Sequence, residues 1–281
     1  MNEYKSAFLV ILYDKELHES STLSSLEKSS IKLEKCTLTI WNNGPNKLKI
    51  RDVSSFEKKG INVNIIETID NISLSKIYNL FIKSIGADSY IFLDDDSQLT
   101  DLYIRDAISN KKDEVSIPII ADEQGNTIKP RINRRVITIP QKILSSAAME
   151  SAGSGLILGK EVIKSIEDLY DDIFDERFLF YGVDSTLFLR LNKINTINVN
   201  VINGFSHSFS LREENISQFK KMEFSSALGL KLRHYKKYGG LTLIRKVITS
   251  PFKAILNKNK KTYIGEIFMS YISGKHYKDR A

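Results

Sequence analysis

The sequence predicts an α/β fold: a mostly parallel central sheet with helices on both faces, followed by a basic helical C-terminal tail. Three observations carry this. Ala7–Leu12 is an unbroken apolar run, the pattern of a strand buried on both faces. Leu74, Ile77, Tyr78, Phe81, Ile82 and Ile85 recur at i, i+3, i+4, i+7, i+8 and i+11, one apolar stripe of a helix. Strand and helix patterns then alternate as far as Ile120, as a doubly covered parallel sheet requires.

After the first strand, Ser20–Ser30 reads as a helix. Cys36–Trp41 is a second strand, closed by the turn residues Asn42-Asn43-Gly44-Pro45. Ile61–Ile66 is a third. The striped helix follows, with Asn71 or Ser73 to cap its start and Gly86 to end it. Tyr90–Leu93 is a short strand running straight into Asp94-Asp95-Asp96. Thr100–Ser109 reads as a helix and Val115–Ile120 as a strand. The later half is less regular. Asp122–Arg135 reads as a hairpin excursion, Gly153–Gly159 as a small-residue strand and Asp171–Phe180 as an acidic-aromatic loop. Val183–Lys193 reads as a helix and Ile194–Ile202 as a last strand.

Composition narrows the class. With 42% apolar and 27% charged residues, the chain is neither disordered nor a collagen-like repeat. One cysteine, Cys36, excludes internal disulfides and thiolate-rich zinc sites, and it is compatible with a reducing cytoplasm. The sequence shows no secretory leader pattern and no uninterrupted apolar window of transmembrane length.

Charge is uneven. Lys231–Ala281 holds 13 Lys/Arg against Glu266 and Asp279, a net of +11, while the rest of the chain carries −4. Such asymmetry points to an anionic partner. Leu241, Leu243, Ile244, Val247, Ile248, Phe252, Ile255 and Leu256 alternate with Arg245, Lys246 and Lys253, with Pro251 as an interruption. That pattern reads two ways: an amphipathic helix on a membrane surface, or a helix packed on the main domain with its lysines in water. Nucleic acid is not expected, since the tail lacks zinc-finger spacing and RNA-recognition signatures.

Ligands of open α/β sheets bind beyond the carboxyl ends of the strands, which puts Asn42-Asn43 and Asp94-Asp95-Asp96 on one rim. In an extended segment Asp94 and Asp96 point to the same side. Such a pair suits a hard divalent ion, Mg²⁺ or Mn²⁺, bridging two phosphates. The plainer reading is a solvated acidic turn before the next helix. Trp41 either stacks on a base or anchors the core. Lys129, Arg131, Arg134 and Arg135 either grip a diphosphate or form an exposed charged hairpin.

Taken in order, these segments resemble the family-2-type GT-A glycosyltransferases. Asn42-Asn43-Gly44 resembles the family's Asp-Asn-Gly-Ser turn, and Asn71…Asn79 its Asn-x-Gly…Asn helix entry. Phe92-Leu93-Asp94-Asp95-Asp96-Ser97 resembles its Asp-x-Asp, in the form shown by bacterial rhamnosyltransferases. Ala152-Gly153-Ser154-Gly155-Leu156 is similar to the acceptor-side segment, and Phe174–Asp184 to the Phe-Asp-Glu…Glu-Asp stretch that ends on a catalytic base. Asn42 stands for an Asp, Ser73 for a Gly and Val183 for a Glu of the family pattern.

The resemblance covers roughly Ala7 to Phe209. It implies a GT-A domain over 1–212, with a nucleotide-sugar half to about 120 and an acceptor half from 121, then a basic helical region over 213–281. It implies Asp184 as the base of an inverting transfer. It implies Tyr13, Asn42, Asn43, Asn71, Asn79, Asp94 and Asp95 at a UDP- or dTDP-sugar, and Asp94, Asp96 and His207 at Mn²⁺ or Mg²⁺. The acceptor expected is a lipid-linked oligosaccharide of O-antigen, capsule or another surface polysaccharide, used by a cytoplasmic enzyme peripheral to the inner membrane face. Read without the resemblance, Asp184 is an ordinary helix cap, His207 a structural histidine, and Asp175 and Glu176 a solvated loop. A metal-dependent nucleotidyltransferase is a competing function, disfavoured because Tyr13-Asp14-Lys15-Glu16 lacks a glycine-rich phosphate loop. A membrane-associated binding protein without activity is another.

Overall fold

A computed structural model describes residues 4–122, 124–144, 149–194, 197–207, 217–235 and 262–280. The anchors from Leu241 to Leu256 lie outside these residues. The chain divides into two compact units. The first comprises Met1–Ile72, Ile77–Ile173 and Arg190–Ser208; the second comprises Ser73–Lys76, Phe174–Leu189 and Phe209–Ala281.

The first unit is built on one large sheet. In chain order its elements are β1 (Tyr4–Leu12), α1 (Ser21–Lys28), β2 (Cys36–Asn42), α2 (Ser54–Glu57), β3 (Asn62–Glu67), α3 (Leu74–Ser84, whose first turn belongs to the second unit), β4 (Ala87–Asp94), β5 (Ser97–Gln98), α4 (Asp101–Ile108) and β6 (Glu114–Ala121). There follow β7 (Thr127–Lys129), β8 (Arg131–Ile132), β9 (Arg135–Val136), β10 (Gln141–Leu144), β11 (Met149–Glu150), β12 (Ile157–Gly159), α5 (Lys160–Glu167), α6 (Val183–Leu191, which belongs to the second unit as far as Leu189) and β13 (Asn198–His207). The sheet order is β10-β13-β6-β12-β4-β1-β2-β3, with β5 beside β13 and β7 beside β6; β11-β8-β9 form a small separate sheet.

The pairs β1–β2, β1–β4, β2–β3 and β6–β13 are parallel. Successive side chains of a strand face opposite sides. Every residue of β2, and all of β1 from Ser6 onward, is buried, so both faces of this central part are covered. Phe8, Leu9, Leu12, Leu38, Phe81 and Phe92 are fully buried, each contributing about 1.5–3 kcal/mol. The predicted stripe of α3 lands on this core: Tyr78 meets Phe92 edge-on at 5.0 Å, and Phe81 does so at 5.9 Å.

Two departures from the expected order matter. The predicted strand Gly153–Gly159 is a strand only over β12; Gly153–Leu156 turn, because Gly155 adopts φ 82° and a Cβ there would press on Pro118 and Phe205. β12 then inserts antiparallel between β4 and β6. The last strand begins and ends later than the sequence predicts and runs to His207. It bulges against β6 between Ile202 and Phe205, where a Cβ on Gly204 would sit 1.5 Å from the Ile119 carbonyl oxygen. Only glycine lets the strand pass there and carry His207 onward.

The second unit holds α7 (Gln218–His234) and α8 (Ile264–Ser273). Ser217 caps α7 by accepting from the Lys220 amide at 3.2 Å, and Gly274 ends α8 at φ 69°. Gly229 brings the two helices close, since a Cβ there would lie 2.3 Å from the Ile267 carbonyl oxygen. In the same unit the first turn of α3 is pinned by its Leu74 amide on the Leu179 carbonyl at 2.8 Å, and by its Ser75 hydroxyl on the Phe178 carbonyl at 2.6 Å. Among the described residues no helix is long and apolar enough to cross a membrane.

Candidate active site

Strand register assembles the rim. Leu12 pairs with Asn42 and Ile11 with Asp94, so the ends of β1, β2 and β4 are level. β4 ends on the first of three consecutive acids, and the fold answers their repulsion in two ways. The N-terminus of α1 is laid against them: Ser20 and Thr22 donate hydroxyl protons to the carbonyls of Asp95 and Asp94, at 2.9 and 2.6 Å. The positive end of a helix dipole favours nearby carboxylates. The second answer is Lys15, whose Nζ donates to Asp95 Oδ1 at 2.8 Å. Burial raises the Asp95 pKa above the usual carboxylate value and Lys15 opposes that rise, while Asp96 adds to it.

Asp94 and Asp96 keep to the other side, where β13 delivers His207. The short pairing of β5 with β13 sets His207 opposite Ser97. His207 Nδ1 lies 3.1 Å from Asp96 Oδ1 and 3.1 Å from Ser97 Oγ, while Nε2 faces Asp94 Oδ2 at 3.7 Å. One ligand atom from each of Asp94, Asp96 and His207 lies within 4.8 Å of the others. Burial alone would lower the His207 pKa; the hydrogen bond to Asp96 and the charges of Asp94, Asp96 and Asp95 outweigh it and raise the value. Two carboxylates and one imidazole at this spacing are a donor set that fits Mn²⁺ or Mg²⁺.

Sequence reading missed the scaffold beneath this group. Ser154 accepts from the Asp94 amide at 3.1 Å and shares a hydrogen bond with Ser97 at 2.9 Å. Thr22 also accepts from the Ser97 amide at 2.9 Å. Lys15 alone left a signal, a cation three residues beyond the first apolar run and so on the same rim.

This constellation belongs to a fold already seen elsewhere. The chain shares the fold of S. aureus TarS. Against TarS 1-349 it is 15% identical with a TM-score of 0.54, covering 97% of this chain and 93% of that one. Against TarS 1-349 in complex with UDP-GlcNAc the identity is 15% and the TM-score 0.55, covering 80% and 65%. Against a further TarS structure the chain spans 45% of that chain's length, with 84% of its own covered, at 15% identity and a TM-score of 0.54. No sequence family matches the chain, and no curated protein does. The likeness to TarS is one of fold, and the sheet is the mostly parallel GT-A type that the motif resemblance implies.

The other expected donor residues fall into two groups. Tyr13 is half exposed at the end of β1. Asn42, Asn43 and Asn79 are buried. Asn42 donates to the Asn46 carbonyl at 2.7 Å and to Glu67 at 3.2 Å, and accepts from the Gly44 amide. Asn43 donates to Asn71 Oδ1 at 3.0 Å and to the Ile72 carbonyl at 2.9 Å, and accepts from Thr68 and the Ile72 amide. These amides lock the turn after β2 onto the left-handed residue Asn71, at φ 50°. Trp41 is a buried anchor, with Nε1 donating to Thr68 Oγ1 at 2.8 Å. Arg131, Arg134 and Arg135 are exposed on the β8–β9 hairpin.

Arg190 is buried and structural. Its guanidinium donates to the Asp172 carboxylate at 2.8 Å and to the carbonyls of Asp172 and Ile173. In the second unit, Asp175 is buried rather than part of a solvated loop. It accepts two hydrogen bonds from the Arg177 guanidinium, at 2.8 and 2.6 Å, and one from Tyr235 at 2.7 Å. Asp184 stands in the first turn of α6 with Oδ1 accepting from the Ser185 amide at 2.6 Å. Gly182, at φ 93°, admits the tight approach of Phe178 before it, and the Lys231 ammonium donates to Ser185 beside it.

Proposed function

We propose that the chain is an inverting glycosyltransferase that moves a sugar from a nucleoside-diphosphate sugar to a hydroxyl of a glycan acceptor. The observation that carries this is the Asp94–Asp96–His207 group at the carboxyl rim of a sheet shared with TarS. TarS 1-349 has been solved with UDP-GlcNAc and with UDP, which supports a UDP-sugar as the first donor to test, ahead of a dTDP-sugar.

Asp94, Asp96 and His207 would hold Mn²⁺ or Mg²⁺, which supplies Lewis-acid neutralisation of charge on a diphosphate leaving group. Lys15 holds Asp95 away from that group, so that two of the three carboxylates serve as ligands. Tyr13 offers an exposed ring for the nucleotide base. In the transfer the acceptor oxygen bonds to the anomeric carbon as the bond from that carbon to the diphosphate breaks. The acceptor's proton passes to a carboxylate, which this reading assigns to Asp184. The acceptor it favours is the lipid-linked oligosaccharide of a surface polysaccharide, at the inner face of the cytoplasmic membrane. The Leu-Asp-Asp-Asp-Ser form of the motif resembles that of rhamnosyltransferases, which keeps a dTDP-sugar as the second donor to test.

The test is a thermal-shift screen of UDP- and dTDP-sugars with and without Mn²⁺. A ligand bound only by the folded chain raises the melting temperature by mass action. The reading expects one donor class to raise it, and more so with metal. If no nucleotide sugar shifts the melting temperature under either condition, the reading fails.

A further inference from the structure

α8 shows water a face that carries no charge. Its inner side is settled on α7: Ile267 and Ser270 are buried, and Ser270 shares a hydrogen bond with Ser226 at 2.7 Å. On the opposite side Ile264, Phe268 and Ile272 recur at i, i+4 and i+8, exposed by 53, 60 and 55%, with Met269 beside them at 52%. The helix has one charged residue, Glu266. It is turned inward, where Arg280 donates to its carboxylate at 2.6 and 2.5 Å. A helix facing solvent ordinarily places polar residues there, and a contiguous apolar face marks an interaction surface.

We propose that this face of α8 docks the protein on an anionic lipid surface. Charge selects that occupant. The segment Lys231–Ala281 has a net charge of +11, and exposed Lys275 follows the helix two residues after Ser273, while Lys278 is set against Glu223 and the Phe180 and Phe219 rings. Cations near an anionic leaflet each add about 1 kcal/mol, and an apolar helix face inserts among the acyl chains below them. A second copy of the chain would bring the same positive charge to the contact. Size points the same way. Ile264, Phe268, Met269 and Ile272, each a little more than half exposed, together present on the order of 400 Å², about half of the roughly 800 Å² per partner of a stable protein interface. An interfacial helix needs no such area. This inference deepens the proposed function, on which it rests for the membrane-bound acceptor, by naming the docking element.

The experiment sediments the full chain with vesicles of equimolar phosphatidylcholine and phosphatidylglycerol, and with pure phosphatidylcholine. The wild type is expected to bind the anionic vesicles only. Combined Ile264→Ser, Phe268→Ser and Ile272→Ser should weaken that binding roughly tenfold or more. The nucleotide-sugar thermal shift, measured without vesicles, should stay unchanged. A separate Phe268→Trp variant, which leaves the face apolar, should show an emission blue shift on the anionic vesicles. The inference is overturned if the triple variant binds like wild type, if Trp emission does not move on bound vesicles, or if wild type stays in the supernatant. Self-association of wild type that the triple variant abolishes would assign the face to a second copy and overturn it too. Each of those outcomes leaves the nucleotide-sugar shift standing, whereas loss of that shift with intact vesicle binding overturns the transferase reading instead.

Discussion

Lys15 Nζ lies 2.8 Å from Oδ1 of Asp95, so the middle one of three consecutive carboxylates is already paired within the protein. The lysine side chain is about a third exposed and the aspartate 15% exposed. Lys15→Met should therefore cost about 1–2 kcal/mol, more than a surface pair and less than a fully buried one. A double-mutant cycle with Asp95→Asn, read by urea unfolding, measures the coupling. Strictly additive effects would remove Lys15 from the account of the rim.

Asp96→Ala and His207→Ala should each abolish the Mn²⁺-dependent part of the donor-induced thermal shift. The motive is that one ligand atom from each of Asp94, Asp96 and His207 lies within 4.8 Å of the others. Equal donor affinity for wild type and both variants at saturating Mn²⁺ would count against a metal role.

Asp184→Asn should lower turnover about 10²–10⁴-fold and leave donor affinity nearly unchanged, because a base acts on the acceptor's proton. Asn can still accept from the Ser185 amide, as Asp184 does at 2.6 Å, so the start of α6 is kept. Full turnover in a folded variant would reduce Asp184 to a helix-terminal acceptor.

His234 should make the protein acid-sensitive. Arg177 Nη1 stands 2.8 Å from its Nδ1, and a guanidinium only donates, so Nδ1 accepts and the neutral ring is held. Burial, then the Arg177 charge, keep the His234 pKa below the usual histidine value. The unfolded chain therefore takes up the proton first. The contribution is full above about pH 6.5 and is lost as pH falls through the depressed folded value. Urea midpoints across that window should fall for wild type and flatten for His234→Asn. Parallel profiles would show that another group governs the loss.

The strands and the striped helix were legible because their signals are local. Ala7–Leu12 and the Leu74–Ile85 stripe lie inside β1 and on α3 to within a few residues, since a period of two or 3.6 is set by the backbone itself. The place of Asp94-Asp95-Asp96 at a strand end was fixed in the same way. Other features came from pairings far apart in sequence. His207 reaches Asp96 because β13 bulges at Gly204 and then pairs with β5, across more than a hundred residues. The antiparallel entry of β12 between β4 and β6 brings Ser154 under Asp94. The outward apolar face of α8 emerged only when Gly229, Ile267 and Ser270 fixed which side of that helix meets α7. Sequence by itself determined the elements and the chemistry at their ends, because those follow from a few neighbouring residues. Register and packing decided which ends meet, because they depend on contacts that no short window of sequence contains.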